Sequence, residues 1–315
     1  MPYALDADGT LTLVELSQYS DHYFVPEAGN SSWSNIYHYI PEGARVLDVG
    51  CSTGNFGQAL EQLKQCTVIG VDLNKQDVAE ANERLTAAYV FDITKAGAVD
   101  LLGTFDVVVF ADVIEHLPDP RAALRAVHGL LNEGGIVVYS IPHMGHLSVR
   151  LDLLEGRFPY AELGLLDRTH LHFYDRHEVH DVFASSGFSV TNENPTVVGY
   201  PPEWTAQRLR AIGLEATPAF FDMLRVTEAE VFQYIGTAAP SGAAALHTPQ
   251  RDAYVFPPDE VLEKSNRLLA ENLALAEENA RLGAQFAELQ AWVVQFKRNP
   301  ARVVAGSVKR RLTRR

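Results

Sequence analysis

The chain has 315 residues, 47% of them hydrophobic, and a mean hydropathy of −0.07, which is ordinary for a globular protein with one large core or two smaller ones. Its formal net charge is −14, although residues 297–315 contain eight basic residues and no acid. An acidic body repels nucleic acid, so we expect no DNA or RNA partner. No run reaches 18 apolar residues and no signal peptide is recognisable, and Cys51 and Cys66 are the only cysteines. We therefore predict a cytoplasmic protein with reduced thiols.

Short β-branched runs alternate with helical patterns from about residue 44 to residue 239. The predicted strands lie near 45–49, 67–72, 88–91, 106–110, 135–140, 188–193 and 230–239. The predicted helices lie near 55–64, 75–86, 119–131 and 176–186, with a further helical excursion over 201–227. This alternation predicts an α/β fold with a doubly wound, seven-stranded, mostly parallel sheet, within a domain that spans residues 1–240.

The most informative segment is Val46–Gly57 (V-L-D-V-G-C-S-T-G-N-F-G), where a buried strand leads through a glycine-rich loop into a helix. A second apolar run ends in Asp72, which lies 22 residues after Gly50. An acid at the tip of the next parallel strand is suited to bind two ribose hydroxyls. Asp48 precedes the first glycine by two residues, where it would repel a pyrophosphate and attract a cation. The pattern predicts a βαβ unit that binds a cationic nucleoside.

The segment after the predicted strand at 106–110 carries polar groups to the same edge of the sheet. It reads F-D-V-V-V-F-A-D-V-I-E-H-L-P-D, and it places Ala111, Asp112, Val113 and His116 beside the loops of Gly50 and Asp72. Open α/β sheets bind ligands at this edge, outside the carboxyl ends of the strands. We therefore expect these residues to line the nucleoside site.

Together, the glycine loop, Asp72, the F-D-I-T segment at 91–94 and the D-V-I-E-H-L segment at 112–117 resemble class I S-adenosylmethionine-dependent methyltransferases. The resemblance covers about residues 20–240. It implies a Rossmann-like methyltransferase fold and S-adenosyl-L-methionine as the cofactor, whose sulfonium and ammonium would gain from nearby carboxylates.

The resemblance also implies a set of cofactor contacts. Asp48 and the loop backbone would face the methionine portion and the sulfonium, and Asp72 the ribose. Asp92 with Ile93 would face the adenine edge, and Asp112 the amino-acid end. The complete set is Asp48, Gly50, Cys51, Ser52, Gly54, Asn55, Asp72, Leu73, Asp92, Ile93, Ala111, Asp112 and Val113, with Tyr19 and Tyr23 as further candidates whose alternative role is packing.

Ser52 departs from the family loop, which is often Gly-x-Gly-x-Gly. Serine has a Cβ and tolerates a positive φ poorly. Either the loop is rearranged at Ser52, or the middle glycine was never required for its dihedral angle.

Residues 140–146, 154–158 and 165–174 resemble a subgroup of these enzymes typified by Pro-Asn-x-x-His and Asp-Arg-Thr-His, some members of which are encoded with surface-polysaccharide assembly enzymes. His143 replaces the asparagine of the first motif. We expect the insertion to cover the active site as a lid. It would bring further histidines to the mouth near His116, namely His143, His146, His170 and His172.

Methyl transfer to oxygen needs in-line placement and a base for the hydroxyl proton, and histidine suits that task at neutral pH. We expect His170 or His146 first as this base, and His143 or His116 otherwise. The alternative is that each histidine braces a loop, or that His116 caps a helix. We predict no metal site, since no His-x-x-x-His occurs on a helix, and we place His177 and His180 on a solvated helix face.

The C-terminal part of the chain shows a different pattern. Residues 241–258 form a predicted linker, and residues 259–296 have a seven-residue repeat with asparagine at two core positions, typical of a parallel two-stranded coiled coil. We therefore expect a homodimer, with a single helix folded onto the body as the alternative. The basic tail, 297–315, is compatible with contact to an anionic membrane surface or with a solubilising role.

These patterns lead to one functional interpretation and two rivals. The interpretation is an S-adenosylmethionine-dependent O-methyltransferase that acts on a sugar or glycan. The rivals are a methyltransferase for a phenolic or other small metabolite, and a non-catalytic scaffold that binds the cofactor and recruits partners.

Overall fold

A computed structural model describes residues 3–5, 11–13, 30–95 and 102–242, all within the first of the chain's two units, Met1–Phe256. The strands are β1 (Tyr3–Leu5), β2 (Leu11–Leu13), β3 (Arg45–Val49), β4 (Thr67–Asp72), β5 (Ala87–Val90), β6 (Phe105–Ala111), β7 (Leu131–Pro142), β8 (Phe188–Glu193), β9 (Thr196–Val197) and β10 (Val231–Pro240). The helices are α1 (Ser32–Tyr39), α2 (Asn55–Lys64), α3 (Lys75–Ala81), α4 (Pro120–His128), α5 (Leu147–Leu154), α6 (Arg176–Ala184), α7 (Pro202–Ala211) and α8 (Pro218–Val226). A 3-10 turn spans Ile114–His116.

The main sheet has the strand order β5-β4-β3-β6-β7-β10-β8, and β9 pairs with β10 as an eighth strand. Neighbouring strands in the part of the order β5-β4-β3-β6-β7 are parallel to each other. Strand β10 runs antiparallel to β7, β8 and β9. The predicted α/β fold with a mostly parallel sheet is confirmed. The short pair β1–β2 is antiparallel and separate from this sheet.

Both faces of the sheet are buried, which explains the continuous β-branched runs. Along β3, Val46 belongs to one hydrophobic cluster and Leu47 to the other, because successive side chains of a strand point to opposite faces. Val107 and Val108 of β6 divide in the same way. Helices therefore cover the sheet on both sides, as the doubly wound arrangement requires.

Two helices, α3 and α4, have bounds that differ from those predicted, and capping residues mark where they begin. Asp119 is the N-cap of α4 and not its first residue, since its side chain accepts from the Ala122 backbone N–H. The same helix ends at His128, before residue 131, because β7 begins there. Helix α3 is capped by Asn74 and ends at Ala81, earlier than the predicted residue 86.

The excursion predicted over 201–227 consists of α7 and α8. Leu209 of α7 and Leu224 of α8 pack in one buried cluster with Leu147 and Leu151 of α5. The lid function expected of the insertion over residues 140–174 stays a prediction. The coiled coil over 259–296, the tail at 297–315, the linker beyond residue 242, and Tyr19 and Tyr23 all lie outside the described residues. Within the described part of the chain, every helix is too short or too polar to cross a bilayer.

Candidate functional site

A cleft of about 510 Å³ opens at the carboxyl ends of β3, β4 and β6. Its lining includes these predicted site residues: Asp48, Gly50, Cys51, Ser52, Asn55, Asp72, Ala111, Asp112, Val113 and His116. The lining also includes Ser31, Ser32, Trp33, Thr53, Phe56 and Gln233. The predicted sheet edge therefore contains a cavity of the size expected for a small-molecule ligand.

The glycine loop presents backbone to this cleft. Gly50 has a φ of +72°, and its N–H donates to the Val71 carbonyl at 2.8 Å. A Cβ at position 50 would lie 2.6 Å from Val113 Cγ2, closer than packing permits. Glycine is therefore required here both for its dihedral angle and for the close approach of the Val113 side chain.

Ser52 adopts a φ of +46°, so the middle position of the loop has a left-handed conformation without a glycine. Two hydrogen bonds hold it there. Its N–H donates to Asp72 Oδ2 at 2.9 Å, and its Oγ donates to Asp77 Oδ2 at 3.1 Å. The loop therefore keeps a left-handed dihedral angle at this position with serine in place of glycine, and the hydroxyl offsets part of the cost of the conformation.

The carboxylate of Asp72 is fixed at the end of β4 by two backbone donors. Ser52 N–H donates to one oxygen at 2.9 Å, and Asn74 N–H donates to the other at 2.8 Å. Phe91, which follows β5, donates its backbone N–H to the Asp72 carbonyl at 3.0 Å. The segment that contains Asp92 and Ile93 therefore lies at the same sheet edge as Asp72.

Four predicted cofactor residues are not part of the lining that the described residues form: Gly54, Leu73, Asp92 and Ile93. Gly54 is the N-cap of α2, and the Leu73 side chain is 68% exposed. Asp92 accepts the Thr94 hydroxyl at 2.6 Å, and this hydrogen bond lowers the pKa of the Asp92 carboxyl. Leu73 and Asp92 thus flank the cleft on the side of β4 and β5.

Asp48 is a buried acid in the floor of the cleft. Burial, followed by the charge of Asp72, raises the pKa of the Asp48 carboxyl to about 7. A cation bound in the cleft would stabilise the ionised carboxylate and lower this pKa. The cleft therefore has the electrostatic character predicted for a positively charged ligand.

Cys51 fills space behind the loop. Its thiol is buried, and burial together with the charge of Asp48 raises the pKa of the thiol well above its ordinary value. A Cβ at Gly70 would lie 2.7 Å from the Cys51 Sγ. The thiol is therefore packed against β4 and protonated at neutral pH, which makes it a poor nucleophile.

Asp112 follows β6 with a φ of +55°. Its backbone N–H donates to the Ser140 hydroxyl at 2.9 Å, and its Oδ1 accepts from Gln233 Nε2 at 2.7 Å. Strands β7 and β10 thus hold Asp112 in the cleft. With Asp48 and Asp72, it gives the cleft three carboxyl groups.

The structure divides the four candidate histidines into two pairs, and the first is His116 with His170. His116 lines the cleft, and its Nδ1 lies 3.2 Å from the Thr169 carbonyl oxygen. The two imidazole rings are 4.7 Å apart between centroids. Asp167 accepts from the Thr169 hydroxyl at 2.6 Å, so the Asp-Arg-Thr-His segment fixes the backbone that contacts His116. Burial, followed by the charge of His116, lowers the pKa of His170.

The second pair, His143 and His146, is buried and bonded to backbone. His143 Nδ1 donates to the Val231 carbonyl at 3.0 Å. His146 Nε2 donates to the Val198 carbonyl at 2.9 Å, and its Nδ1 accepts from the Ser148 hydroxyl at 2.8 Å. Burial lowers the pKa of His146 to about 4. Both rings are therefore hydrogen-bonded within loops, which is the geometry expected of the alternative bracing role.

Sequence reasoning missed Glu115, which is 1% exposed in the 3-10 turn beside His116. Burial, followed by the charge of Asp112, raises the pKa of this carboxyl well above its ordinary value. The feature of the sequence that could have indicated Glu115 is its place as an acid within the D-V-I-E-H-L segment at 112–117. Gln233 could have been noticed in the same way, as a polar residue within the apolar run of the last strand.

His177 and His180 are exposed on α6, as predicted.

Fold and site together define an α/β nucleoside-binding domain for a cationic ligand. Residues 30–193, about half of the chain, match the family described as Methyltransferase domain, and the chain belongs to this family. Its cofactor is S-adenosyl-L-methionine, as predicted. The residues present fit that group, since the bare Gly50 backbone and the three carboxyl groups face one cavity.

Curated relatives share the central part of the chain. A ubiquinone biosynthesis O-methyltransferase of Pseudomonas aeruginosa (strain LESB58) is 34% identical over 103 residues, which are 31% of this chain and 44% of that protein. The enzyme of the same name from Azotobacter vinelandii is 33% identical over 108 residues, 33% of this chain and 46% of that protein. The chain thus matches less than half the length of these relatives. A solved S-adenosylmethionine-dependent methyltransferase from Thermotoga maritima has a TM-score of 0.45 and 17% identity, covering 66% of this chain and 87% of that one.

Proposed function

We propose that this protein transfers the methyl group of S-adenosyl-L-methionine to a hydroxyl group of a small molecule. The observation that carries the proposal is the cleft itself, where Asp48, Asp72 and Asp112 face one cavity together with His116. Family membership supports methyl transfer. The names of the curated relatives, which are O-methyltransferases, support oxygen as the accepting atom.

When bound, the cofactor supplies a methyl group: a C–O bond forms as the C–S bond breaks, and the sulfur keeps the electron pair. The chain's contribution is position and charge. Asp72, held by two backbone N–H groups, accepts hydrogen bonds from the ribose hydroxyls. Asp112, held by Gln233, binds the ammonium of the amino-acid end. Asp48 provides negative charge near the sulfonium.

The acceptor hydroxyl lies beside His116 in this proposal. Of the four histidines predicted as the base, His116 is in the cleft lining. The Thr169 carbonyl fixes the imidazole through Nδ1. The ring is thereby held in one orientation toward the place where an acceptor proton must be removed.

A small aromatic acceptor suits this cleft better than a sugar. Trp33 and Phe56 both line it, with ring centroids 5.6 Å apart, and aromatic faces favour a flat apolar acceptor. The glycan acceptor stays a prediction whose support is the subgroup motif around His143 and His170. The two acceptor classes are separable by experiment.

The test has two stages with the full-length chain. Calorimetric titration with S-adenosylhomocysteine measures cofactor-site binding, and transfer of a radiolabelled methyl group is then assayed with a panel of phenols and a panel of nucleotide sugars. We expect the phenols to be labelled by the wild type. The Asp112→Ala variant should form at least tenfold less product. The control His177→Asn, which replaces an exposed histidine of α6, should leave the rate unchanged. Binding without transfer to either panel would favour the scaffold function. Labelled sugars alone would restore the glycan interpretation.

The assembly predictions concern residues outside the described ranges. We propose that residues 259–296 form a homodimer and that the basic tail adds affinity for anionic lipid at the cytoplasmic face of a membrane. Removal of residues 259–315 should convert a dimer to a monomer in sedimentation. It should also abolish pelleting with phosphatidylserine vesicles, and a truncated chain that stays dimeric would remove this segment from assembly.

A further inference from the structure

Glu115 has an environment that methyl transfer does not explain. Its side chain is 1% exposed, and neither carboxylate oxygen has a hydrogen-bond partner among the described residues. Leaving a buried polar group unpaired costs about 1–3 kcal/mol, and more if the group is charged. Such a group in a native structure calls for an explanation, and an ion at the site is one of them.

Two imidazoles lie beside this carboxylate. His170 Nε2 is 4.0 Å from Glu115 Oε1, and the His116 ring packs edge-on against the His170 ring. One ligand-type atom from each of the three residues lies within 4.8 Å of the others. Two histidines and one carboxylate are the donor set of many metal sites that keep a coordination position open for a reacting molecule.

The backbone holds both rings as it does in metal sites. His116 Nδ1 faces the Thr169 carbonyl at 3.2 Å, and His170 Nδ1 donates to the Leu165 carbonyl at 3.2 Å. Metal-binding histidines almost always use the second ring nitrogen in this way, which fixes the tautomer and the ring orientation. Asp167 adds a further layer, since it accepts from the Thr169 hydroxyl.

We propose that Glu115, His116 and His170 bind one divalent transition-metal ion of the zinc class. Ligand atoms around such an ion are about 3.0–3.5 Å apart, so an inward movement of about 1 Å would complete the site. The ion would give the buried Glu115 carboxylate a positively charged partner.

The position of the site suggests its use. His116 lines the cofactor cleft, so an ion bound to His116 would lie at the edge of the cavity. A hydroxyl that coordinates a divalent ion loses its proton at a lower pH than the same hydroxyl in water. The ion would thus orient and activate an acceptor oxygen; with the ion bound, His116 would act as a ligand in place of its role as the base, and the proton of the coordinated hydroxyl would pass to water. This use depends on the proposed function, whereas binding of the ion does not.

The experiment measures metal affinity and not turnover. Full-length protein is stripped with a chelator, and Zn²⁺ alone is titrated in a calorimeter, with Mg²⁺ in a parallel titration. We expect one Zn²⁺ per chain, and affinity at least tenfold weaker in Glu115→Gln and in His170→Asn. The matched control is His177→Asn, which removes an exposed imidazole on α6 and should bind Zn²⁺ as the wild type does.

Two further measurements keep the outcome clear. Circular dichroism and S-adenosylhomocysteine binding establish that each variant is folded, and if one variant does not fold, the other carries the test. Co²⁺ absorption should show nitrogen and oxygen ligation in the wild type and should change in the variants. Equal Zn²⁺ affinity in folded wild type and variants would overturn the site, as would a wild type that binds no Zn²⁺. If the variants lose Zn²⁺ affinity and the wild type transfers no methyl group, the metal site is supported and the proposed function is contradicted.

Discussion

Gln233 donates a hydrogen bond from Nε2 to Asp112 Oδ1 at 2.7 Å, and this bond joins the antiparallel strand β10 to the loop after β6. Gln233 Oε1 also accepts from the Thr196 hydroxyl at 3.4 Å, so β9 helps to orient the amide. Asp112 has a left-handed backbone conformation and needs such supports to keep its carboxylate in the cleft. The last strand therefore contributes to the cofactor site although it contains none of the predicted site residues.

The substitution Gln233→Met should weaken S-adenosylhomocysteine binding about fivefold. It preserves side-chain size and removes the donor to Asp112, and loss of one such bond costs about 1 kcal/mol. Isothermal titration calorimetry measures the effect, with Gln62→Met on the exposed side of α2 as the control. Equal affinity in the two variants would mean that Asp112 holds its position without the amide.

Asp48 should make cofactor affinity depend on pH. Its pKa is raised to about 7, so the carboxyl is increasingly neutral below that pH and attracts a cation less. Affinity for S-adenosyl-L-methionine should fall by up to about tenfold per pH unit below pH 7 and level off above it. The product, which lacks the positive sulfur, should show a shallower dependence. Calorimetry from pH 5.5 to 8.5 measures both ligands.

The Asp48→Asn variant is the matched test of this assignment. It should bind S-adenosyl-L-methionine at least tenfold more weakly at pH 8, and the pH dependence between 5.5 and 7 should disappear. Asp181→Asn, which removes an exposed acid on α6, should retain the wild-type profile. A pH dependence that survives in Asp48→Asn would assign the titration to another group.

Local sequence patterns predicted the parallel half of the fold well. The bounds of β3, β4 and α2 agree with those predicted, because hydrophobic periodicity and flanking turns act within a few residues. The site at the sheet edge was predictable for the same reason, since Asp48, Asp72 and Asp112 each follow or end a parallel strand.

The missed features depend on contacts between distant segments. Gln233 reaches Asp112 across 121 residues, and no local pattern specifies that approach. His146 Nε2 donates to the Val198 carbonyl across 52 residues, and no local pattern specifies that contact either. Burial of Glu115 has the same origin, since backbone N–H groups at positions 171 and 172 donate to its carbonyl from the insertion.

Ser52 provides a test of the strained loop position. Ser52→Ala keeps a Cβ at a φ of +46° and removes the hydrogen bond to Asp77, so the free energy of unfolding should fall by about 1–2 kcal/mol. Ser52→Gly also removes that bond but relieves the left-handed cost of about 1 kcal/mol, so its stability should stay near that of the wild type. Urea unfolding compares the two. Equal stabilities would show that the dihedral angle imposes no measurable cost on serine.

His146 should make the protein less stable in mild acid. Burial lowers its pKa from 6.5 to about 4 in the folded state, so the unfolded chain binds more protons between those pH values. The free energy of unfolding should therefore decrease as pH falls through this window, by up to about 3 kcal/mol from this group. Asp48 acts in the opposite direction, because its raised pKa favours the folded state as pH falls from 7 toward 4.

The difference between wild type and His146→Gln isolates the histidine contribution, since Asp48 is common to both proteins. Glutamine retains a donor for the Val198 carbonyl and does not titrate. The stability difference between variant and wild type should therefore shift in favour of the variant as pH falls from 6.5 to 4. Urea unfolding at half-unit pH intervals measures this shift. A stability difference between variant and wild type that is constant with pH would assign the proton uptake to another group. In a separate assay, a pH profile of methyl transfer that the substitution leaves unchanged would support a bracing role for His146.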